Sequence, residues 1–518
     1  MTTVREAVFA LLRAHGIKTI FGNPGSTELP MFRDFPGDFR YILGLQESVV
    51  MAMADGYAQA TGNAALVNLH SSAGTGHALG NLFTAFRNQA PVIVTAGQQA
   101  RSILPFEPYL FADQPTEFPR PFIKWAVEPA RAADVPRAIE RAYHIAMTPP
   151  RGPTFVSVPI DDWDQPSEPL APRRLAAANP GDPEAIVELA NDLSHARRPA
   201  LVLGAGVARD GAWDAVIALA ERQGASVFVA PFACRNVFPE DHPQFAGFLP
   251  ASREGIVSAL ASHDVVLALG GPLNLYHTEG AGPHIPPDAI WWLVSDNLAQ
   301  LAAAPVGRAI VANTRAIATA LLDTPVPGTR EGFAGRSRPA AVDPDILDDA
   351  LLMQRIAALR PAGAVVVEEA PSSRPAMQAH LPMVIPDSFY TTAGGGLGYA
   401  LPASVGVALA RPDRKTIALL GDGSAMYAIQ GLFTAAQLRL PVSFIIVNNG
   451  RYEALHSFGR LFDMSAIVGT DLSGLDFCAL AEGMGVAGKQ VIAPGALDDA
   501  LAWSFGASVP TLVEVILR

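Results

Sequence analysis

The sequence Thr416-Ile-Ala-Leu-Leu-Gly-Asp-Gly-Ser424, followed by Pro441-Val-Ser-Phe-Ile-Ile-Val-Asn-Asn449, decides the fold of this chain. Each segment opens as a β-rich apolar run, which is typical of a strand buried in a parallel sheet. Between them, residues 429–439 place apolar side chains at helical intervals. The pattern predicts a strand–helix–strand unit that brings Asp422 and Asn449 to one carboxyl edge of a sheet, where such folds bind ligands.

The residues at that edge predict a site for a cation and a phosphate group. A carboxylate and an amide oxygen are hard ligands of the kind that Mg²⁺ or Ca²⁺ takes, with places left for water and phosphate. Gly421 and Gly423 would let backbone N–H groups approach a diphosphate at the start of the next helix. Gly-Asp-Gly alone is usually a turn and Asn-Asn-Gly a loop, but the pair after two strands is much rarer by chance.

Length, charge and cysteine content narrow the class of protein. The chain has 518 residues, half of them apolar, and a formal net charge of −12. That length predicts about three domains with large cores. The negative charge, without a stripe of Lys and Arg, predicts no nucleic-acid partner. Two cysteines far apart in sequence predict neither a disulfide framework nor a zinc cluster, so a reducing cytoplasm is the expected compartment. No apolar run reaches the ~18 residues of a membrane span, so no membrane partner is expected.

Short apolar strands alternate with helical segments along the whole chain, which predicts α/β domains with parallel sheets. The predicted domains are residues 1–170, 183–325 and 345–518. Sequence rich in Pro and Arg from 164 to 183, and in Pro, Gly and Arg from 324 to 344, predicts the two linkers between them.

The middle block contains Gly204-Ala-Gly206 directly after a predicted strand, which invites a dinucleotide-binding interpretation. The third glycine of that fingerprint would fall at Arg209. The strand that ends near Ala230 runs into Pro231 without the acidic ribose ligand. The sequence therefore favours a tight strand-to-helix turn.

The first block carries a second set of polar residues on loops that follow predicted strands, where catalytic groups collect. The segments are residues 21–30 (FGNPGSTELP), 45–47 (LQE) and 68–76 (NLHSSAGTG). Taken singly, Ser26 would be a helix cap, Glu47 a solvated carboxylate and His70 a core histidine. Their significance comes from their order together with the metal motif.

In that order these segments resemble the benzoylformate decarboxylases, within the thiamin diphosphate-dependent 2-oxoacid decarboxylase and acetolactate synthase superfamily. The resemblance spans almost the whole chain and includes residues 95–99, 157–163 and 393–398. It implies an α/β fold of three doubly wound parallel-sheet domains, for pyrimidine binding, a central role and diphosphate binding. It also implies thiamin diphosphate with Mg²⁺ or Ca²⁺ as cofactors.

The resemblance assigns roles to individual residues. Glu47 would hydrogen-bond the pyrimidine N1′, the Gly395 carbonyl would accept from N4′, and Leu397 would support the bent cofactor. Asp422, Asn449 and the backbone carbonyl of Arg451 would bind the metal. The diphosphate contacts would be Gly421, Gly423, Ser424, Tyr452 and Ser372 or Ser373, because the family's Glu-Ser-Thr-Ser stretch reads Glu369-Ala-Pro371-Ser372 here.

The implied reaction is the nonoxidative decarboxylation of an aromatic 2-oxoacid such as benzoylformate, through an ylide and an enamine of the cofactor. Ser26 would bind the substrate carboxylate, and His70 and His277 would carry protons. The other histidines are interpreted as structural or solvated. The alternative is a carboligase, acetolactate synthase-like or aldehyde-joining, against which the presence of both histidines argues. A noncatalytic cofactor-binding scaffold is disfavoured by Glu47 and the metal pair.

Two positions depart from the benzoylformate decarboxylase pattern. Tyr109 stands where a leucine usually lines the aryl pocket, and Glu453 stands where a glycine usually follows the tyrosine. A carboxylate there would repel a second anionic group or accept a hydrogen bond from a hydroxyl or amine. The remaining predicted lining is apolar: Phe106, Leu110, Ala454, Leu455 and Phe458.

The resemblance also implies an oligomer. Glu47 and the metal motif lie on different predicted domains, and in this superfamily the two domains of one active site come from different subunits. A homodimer is therefore the minimum expected assembly, and a homotetramer is expected.

Overall fold

The structure is a computed structural model that describes residues 2–326, 330, 335–336 and 339–517. The chain forms two compact units. The first comprises Met1–Ala176, Asp343–Arg374 and Thr392–Arg518, and the second comprises Ala177–Val342 and Pro375–Thr391. The predicted linker at 324–344 lies partly outside the described residues, and the predicted domain boundaries stay predictions.

Strands and helices alternate along the described chain. The strands are β1 (Thr19–Gly22), β2 (Arg40–Leu43), β3 (Ala65–Leu69), β4 (Val92–Gln98), β5 (Ala126–Val127), β6 (Thr154–Pro159), β7 (Pro199–Leu203), β8 (Ser226–Val229), β9 (Phe245–Phe248), β10 (Val265–Leu269), β11 (Ile290–Ser295), β12 (Arg308–Val311), β13 (Val365–Glu369), β14 (Phe389–Thr391), β15 (Thr416–Gly421), β16 (Val442–Asn448), β17 (Ala487–Val491) and β18 (Thr511–Ile516).

The helices are α1 (Val4–Ala14), α2 (Glu47–Thr61), α3 (Ser71–Asn88), α4 (Val135–Met147), α5 (Pro183–His195), α6 (Gly206–Arg209), α7 (Trp213–Gln223), α8 (Arg253–Leu260), α9 (Leu298–Ala302), α10 (Thr314–Ala320), α11 (Asp349–Leu359), α12 (Arg374–His380), α13 (Ala400–Ala410), α14 (Asp422–Met426), α15 (Gly431–Gln437), α16 (Glu453–Leu461), α17 (Phe477–Gly483) and α18 (Leu497–Gly506). Among the described residues, no helix is both long enough and apolar enough to cross a bilayer.

The strands form three six-stranded sheets, which confirms the predicted fold class. Their orders are β2-β1-β3-β4-β6-β5, β12-β11-β10-β7-β8-β9 and β14-β13-β15-β16-β18-β17. The first and third sheets therefore repeat one strand order, whereas the middle sheet has the order of dinucleotide-binding folds. The central pairs are parallel, including β3 with β4 and β15 with β16.

The stretch quoted first folds nearly as predicted. Strands β15 and β16 pair in parallel, with Gly421 opposite Val447, so both end at the same edge of the sheet. The predicted helix at 429–439 is shorter: α15 ends at Gln437, and Arg439 has a left-handed φ of 51°. An additional short helix, α14, starts at Asp422 itself.

Helices α2 and α13 pack backbone to backbone within the first unit. A Cβ on Gly56 would lie 2.3 Å from the carbonyl oxygen of Ala403, and one on Gly406 would lie 1.9 Å from that of Met53. Only glycine permits this separation, because any side chain would have to displace a backbone carbonyl. The contact fixes α2, which begins at Glu47, against the helix that follows the 392–399 loop.

In the second unit, the Gly204-Ala-Gly206 segment forms the predicted tight turn. A Cβ on Gly204 would lie 2.5 Å from the Cα of Gly271. The N–H of Gly206 donates to the carbonyl of Gly270 at 2.7 Å. The backbone at Gly270 thus closes the turn, and the N–H of Gly206 is already hydrogen-bonded within the protein.

Candidate active site

Asp422 lies at the first residue of α14 and is almost fully buried. Its carboxylate is surrounded by backbone N–H groups. Oδ1 accepts from Gly423 at 2.7 Å, and Oδ2 accepts from Asn449 at 3.2 Å and Gly450 at 2.8 Å. The two motifs predicted to share a site are therefore directly hydrogen-bonded across β15 and β16.

A second segment holds the loop after β16. Arg451 forms an antiparallel bridge with Asp471, and the N–H of Tyr452 donates to the carbonyl of Thr470 at 2.9 Å. The side-chain oxygen of Asn449 accepts from the N–H of Arg451 at 3.2 Å. These contacts fix the backbone carbonyl and amide oxygens that the sequence predicts as metal ligands.

The chemistry of this donor set fits a divalent cation. Burial raises the pKa of Asp422 above its ordinary value, against the opposing effect of the backbone N–H groups. A hard cation would favour the charged form of that carboxylate, and Asp422 and Asn449 both offer oxygen. Gly423 has a separate steric role, because a Cβ there would lie 2.3 Å from the ring of Tyr452.

The two predicted serine candidates differ in their surroundings. The Ser373 hydroxyl is buried and donates to Oδ1 of Asp349 at 2.7 Å. Ser372 is half-buried in the preceding turn. Since the proton of Ser373 is committed to a carboxylate, Ser372 is the better placed of the two to donate to an anion. Ser424 is buried in the first turn of α14.

The loop at 392–399, which carries Gly395 and Leu397, is held by a buried carboxylate that the sequence analysis did not single out. Glu369 Oε1 accepts from the N–H of Gly398 at 2.6 Å, and Oε2 accepts from Tyr399 and Ala400 at 2.8 and 2.7 Å. Burial raises the pKa of Glu369 to about 8, against these three donors. The carboxylate thereby ties β13 to the start of α13.

Helix α3 holds the same loop from a second direction. The Asn88 side chain accepts from the N–H of Ala393 at 2.8 Å, and the Asn81 side chain donates to the Gly398 carbonyl at 3.0 Å. Gly395 itself is exposed and has a left-handed φ of 71°. The backbone around Gly395 and Leu397 is consequently anchored on both sides.

Glu47 is buried at the first residue of α2, and its carboxylate contacts side chains. Oε1 accepts from the Asn23 amide at 3.1 Å, and Oε2 lies 3.0 Å from Nδ1 of His77. His77 was expected to be structural or solvated, and 65% of its side chain is exposed, yet it contacts this carboxylate. It lies one residue beyond the 68–76 segment that the sequence singled out, and no sequence signal separated it from the other histidines.

His70 caps the start of α3, and its ring packs against the turn at residues 25–28. Nδ1 lies 2.9 Å from Oε2 of Glu28 and 3.0 Å from the hydroxyl of Thr27. Ser26 is exposed on the same turn. The structure therefore brings Ser26 and His70 onto adjoining elements, and it adds Glu28, whose signal was its position within the 21–30 segment.

His277 belongs to the second unit. Its N–H donates to the carbonyl of Ala251 at 2.9 Å, and its ring meets Phe232 edge-on with centroids 5.7 Å apart. Its role as a proton carrier stays a prediction.

The two departures from the family pattern have different environments. Tyr109 is 88% exposed on the loop before β5. Glu453 pairs with Nε of Arg451 at 2.7 Å and with a guanidinium nitrogen of Arg460 at 3.0 Å. Although burial pushes the pKa of Glu453 upward, the two guanidinium groups outweigh it and hold that pKa below its ordinary value. Because its charge is compensated, the repulsion expected from the sequence is weakened.

Three models of thiamine pyrophosphate enzymes match the chain: the N-terminal TPP binding domain at residues 2–115, the central domain at 186–321 and the C-terminal TPP binding domain at 372–515. A benzoylformate decarboxylase of Pseudomonas aeruginosa is 42% identical over 521 residues, covering 99% of both chains. The chain belongs to the thiamine pyrophosphate enzymes. The resemblance found in the sequence, to the 2-oxoacid decarboxylase and acetolactate synthase superfamily of these enzymes, is confirmed.

Solved structures of thiamine pyrophosphate enzymes also resemble the whole chain. One is the 4-hydroxybenzoylformate decarboxylase of Rhodococcus jostii, with a TM-score of 0.96, 40% identity and coverage of 100% of this chain and 99% of that one. Another is the benzoylformate decarboxylase of Polynucleobacter necessarius, with a TM-score of 0.97, 37% identity and the same coverage. Thiamin diphosphate is thus the cofactor class of this protein.

Proposed function

We propose that this protein catalyses the nonoxidative decarboxylation of an aromatic 2-oxoacid, benzoylformate or a ring-substituted form of it, to the aldehyde and carbon dioxide. The observation that carries the proposal is the full-length similarity to decarboxylases of benzoylformate and of 4-hydroxybenzoylformate. It is supported by a chain that retains Glu47, His70 and the Asp422–Asn449 pair in folded, hydrogen-bonded positions.

The residues present fit the cofactor and a metal. When bound, thiamin diphosphate supplies a nucleophilic carbon and an electron sink. Asp422, Asn449 and the carbonyl of Arg451 would hold Mg²⁺ or Ca²⁺, which in turn would hold the diphosphate. The further contacts with the diphosphate and the thiazolium ring are assigned to Gly421, Gly423, Ser424, Tyr452, Ser372, Ser373 and Leu397.

Proton handling is assigned to three groups. Glu47 would exchange a proton with the pyrimidine N1′, from a site where water is largely excluded by burial. His70 and His277 would move protons at the reacting carbon and oxygen, since an imidazole can both accept and donate near neutral pH. Ser26 would donate to the substrate carboxylate, and the Gly395 carbonyl would accept from the aminopyrimidine.

Substrate preference would depend on the residues that depart from the family pattern. The Glu453 carboxylate would accept a hydrogen bond from a ring hydroxyl, and its ion pairs with Arg451 and Arg460 would weaken its repulsion of an anionic substrate. Neither Cys234 nor Cys478 forms a disulfide bond, which supports a reducing, cytoplasmic compartment. A homodimer that shares its active sites, assembled into a homotetramer, is part of the same proposal.

The first experiment measures carbon dioxide and the organic product with benzoylformate, 4-hydroxybenzoylformate and pyruvate, in the presence of thiamin diphosphate and Mg²⁺. The aryl substrates should give the aldehyde with the highest kcat/KM. A 2-hydroxyketone as the main product, or a preference for pyruvate, would instead favour the carboligase.

Subunit sharing is tested by mixing two inactive variants, Glu47→Gln and Asp422→Ala. If each site takes these residues from different subunits, mixed oligomers contain some sites with both residues intact and regain activity. Absence of regained activity after verified subunit exchange would contradict shared sites. Sedimentation velocity gives the number of subunits directly.

A further inference from the structure

Among the described residues, the His70 ring forms hydrogen bonds only through Nδ1. Nδ1 lies 2.9 Å from Glu28 Oε2 and 3.0 Å from the Thr27 hydroxyl, while the side chain keeps 18% of its surface exposed. The Thr27 hydroxyl is 2.5 Å from Glu28 Oε1 and uses its proton there. Carboxylate and hydroxyl oxygens therefore both accept from the same nitrogen.

Those partners determine the tautomer of His70. A carboxylate has only acceptor atoms, and Thr27 has already donated its proton to it, so both contacts require Nδ1 to carry hydrogen. Nε2 is then the unprotonated nitrogen of the neutral ring. It is the nitrogen able to take a proton from a reacting group.

Glu28 is held more rigidly than the histidine it contacts. Only 1% of its side chain is exposed, and Oε2 also accepts from the N–H of Gly25 at 2.9 Å. A Cβ on Gly97 would lie 2.0 Å from Oε1, and one on Gly25 would lie 2.2 Å from the His70 ring. The glutamate and the imidazole thus fill a space bounded by two glycines, which leaves little room for either to rotate.

We propose that Glu28 is the positioning residue of His70, holding Nδ1–H by its carboxylate so that Nε2 is presented to the substrate. The proposal rests on the proposed function, in which His70 is the proton carrier. Glu28 does not touch the substrate and acts only as a hydrogen-bond acceptor. A proton that Nε2 takes from a reacting group leaves again from Nε2 to the product.

The energetic reason is the same as in a carboxylate–histidine pair of a hydrolase. An imidazolium beside an ionised carboxylate is stabilised relative to one beside a neutral group. A fixed ring also avoids the cost of orienting it in each turnover. Both effects act on the chemical step and leave the cofactor site unchanged.

The test is a double-mutant cycle with Glu28→Gln, His70→Ala and the double variant, loaded with thiamin diphosphate and Mg²⁺. A carboxamide keeps the size of Glu28 but removes its charge. We expect E28Q to lower kcat for benzoylformate at least about tenfold, with nearly unchanged KM and cofactor affinity. In the H70A background, E28Q should cause no further loss, because the residue acts only through His70.

The matched control is Glu140→Gln, another buried glutamate that contacts histidines. Its carboxylate lies 2.6 Å from His15 Nε2 and 3.0 Å from His144 Nε2. His15 is the C-cap residue of α1, and Glu140 and His144 lie on α4, away from the loops of the site. E140Q should keep kcat/KM while lowering the melting temperature. The control therefore distinguishes the general effect of losing a buried glutamate–histidine contact from the specific effect of losing the contact between Glu28 and His70.

Three results would overturn or separate the claims. Full activity of E28Q overturns the positioning role, and so does a loss that multiplies with that of H70A. If H70A itself decarboxylates as well as the unmodified protein, the proposed role of His70 fails instead. Should E28Q not fold, Glu28→Asp, which keeps the charge, enters the same cycle and must also lose its effect when His70 is absent.

Discussion

Two buried carboxylates, Asp422 at the first residue of α14 and Glu47 at the first residue of α2, are held in different ways. Asp422 is surrounded by backbone N–H groups from its own turn and from the next strand end. Glu47 is contacted by the side chains of Asn23 and His77 from two other segments. Backbone N–H groups around a carboxylate are positioned by glycines and turns close in sequence. Side chains that contact a carboxylate can each be replaced by one substitution. The backbone therefore fixes Asp422 at the proposed diphosphate end, whereas side chains that a substitution can change hold Glu47 at the proposed pyrimidine end.

The largest effect is expected when the carboxylate of the fixed end is removed. Asp422→Ala deletes a proposed metal ligand and leaves the N–H groups of Gly423 and Gly450 without an acceptor, so binding of Mg²⁺ and thiamin diphosphate should be lost together with activity. Calorimetric titration with the cofactor, at constant Mg²⁺, measures this. Cofactor affinity close to that of the unmodified protein would show that the anchor lies elsewhere.

A different outcome is expected at the adjustable end. Glu47→Gln keeps the acceptor for Asn23 but removes the acid–base function, so kcat should fall by about 10²–10⁴-fold. Thiamin diphosphate should still bind, because the metal site is untouched. If E47Q lost cofactor affinity as completely as D422A, the expected difference between the two carboxylates would be contradicted.

Glu369→Gln tests a third carboxylate that is held by backbone, as Asp422 is. The carboxamide NH₂ would face an N–H donor of Gly398 or Tyr399, so the loop with Gly395 and Leu397 should loosen. We expect the dissociation constant of thiamin diphosphate to rise about tenfold, which corresponds to ~1.4 kcal/mol. Hydrogen exchange of residues 392–400 should increase in parallel, and unchanged exchange there would argue against the anchoring role.

The smallest effect is expected from His77→Ala. The side chain is mostly exposed, so its contact with Glu47 should be worth little in stability. A change of about two- to tenfold in kcat is expected, since the group that exchanges the proton loses one neighbour. His195→Ala, an exposed histidine of the second unit, is the matched control and should have no effect. If H77A and H195A had equal effects on kcat, His77 would have no role in the site.

The contrast between contacts with nearby backbone and contacts with distant side chains also explains which features could be predicted from the sequence. The proximity of Asp422 and Asn449 was predicted from local sequence alone. Parallel strands of α/β units end at one edge of the sheet, and the glycines beside Asp422 can be recognised directly in the sequence. The strands Thr416–Gly421 and Val442–Asn448 were also recognised, because buried parallel strands are continuous apolar runs.

The contacts of Glu47, His70 and the 392–399 loop could not be predicted in this way. Glu28, His77 and Glu369 act through partners that the fold brings together from distant segments, and their residue types are common on any surface. Resemblance to a family suggested which groups react but not which side chains contact them. The earlier end of α15 was likewise not visible in the sequence, because Arg439, which has a left-handed φ, continues the helical pattern there.

The turn at Gly204 and Gly206 has a consequence for protein engineering. The middle sheet has the strand order of a nucleotide-binding fold and two of the three glycines of its fingerprint, but the hydrogen bond from the N–H of Gly206 to the carbonyl of Gly270 closes the turn. A designer who wished to create a nucleotide site here would have to redirect the loop after β10, so that the Gly270 carbonyl no longer accepts from the N–H of Gly206.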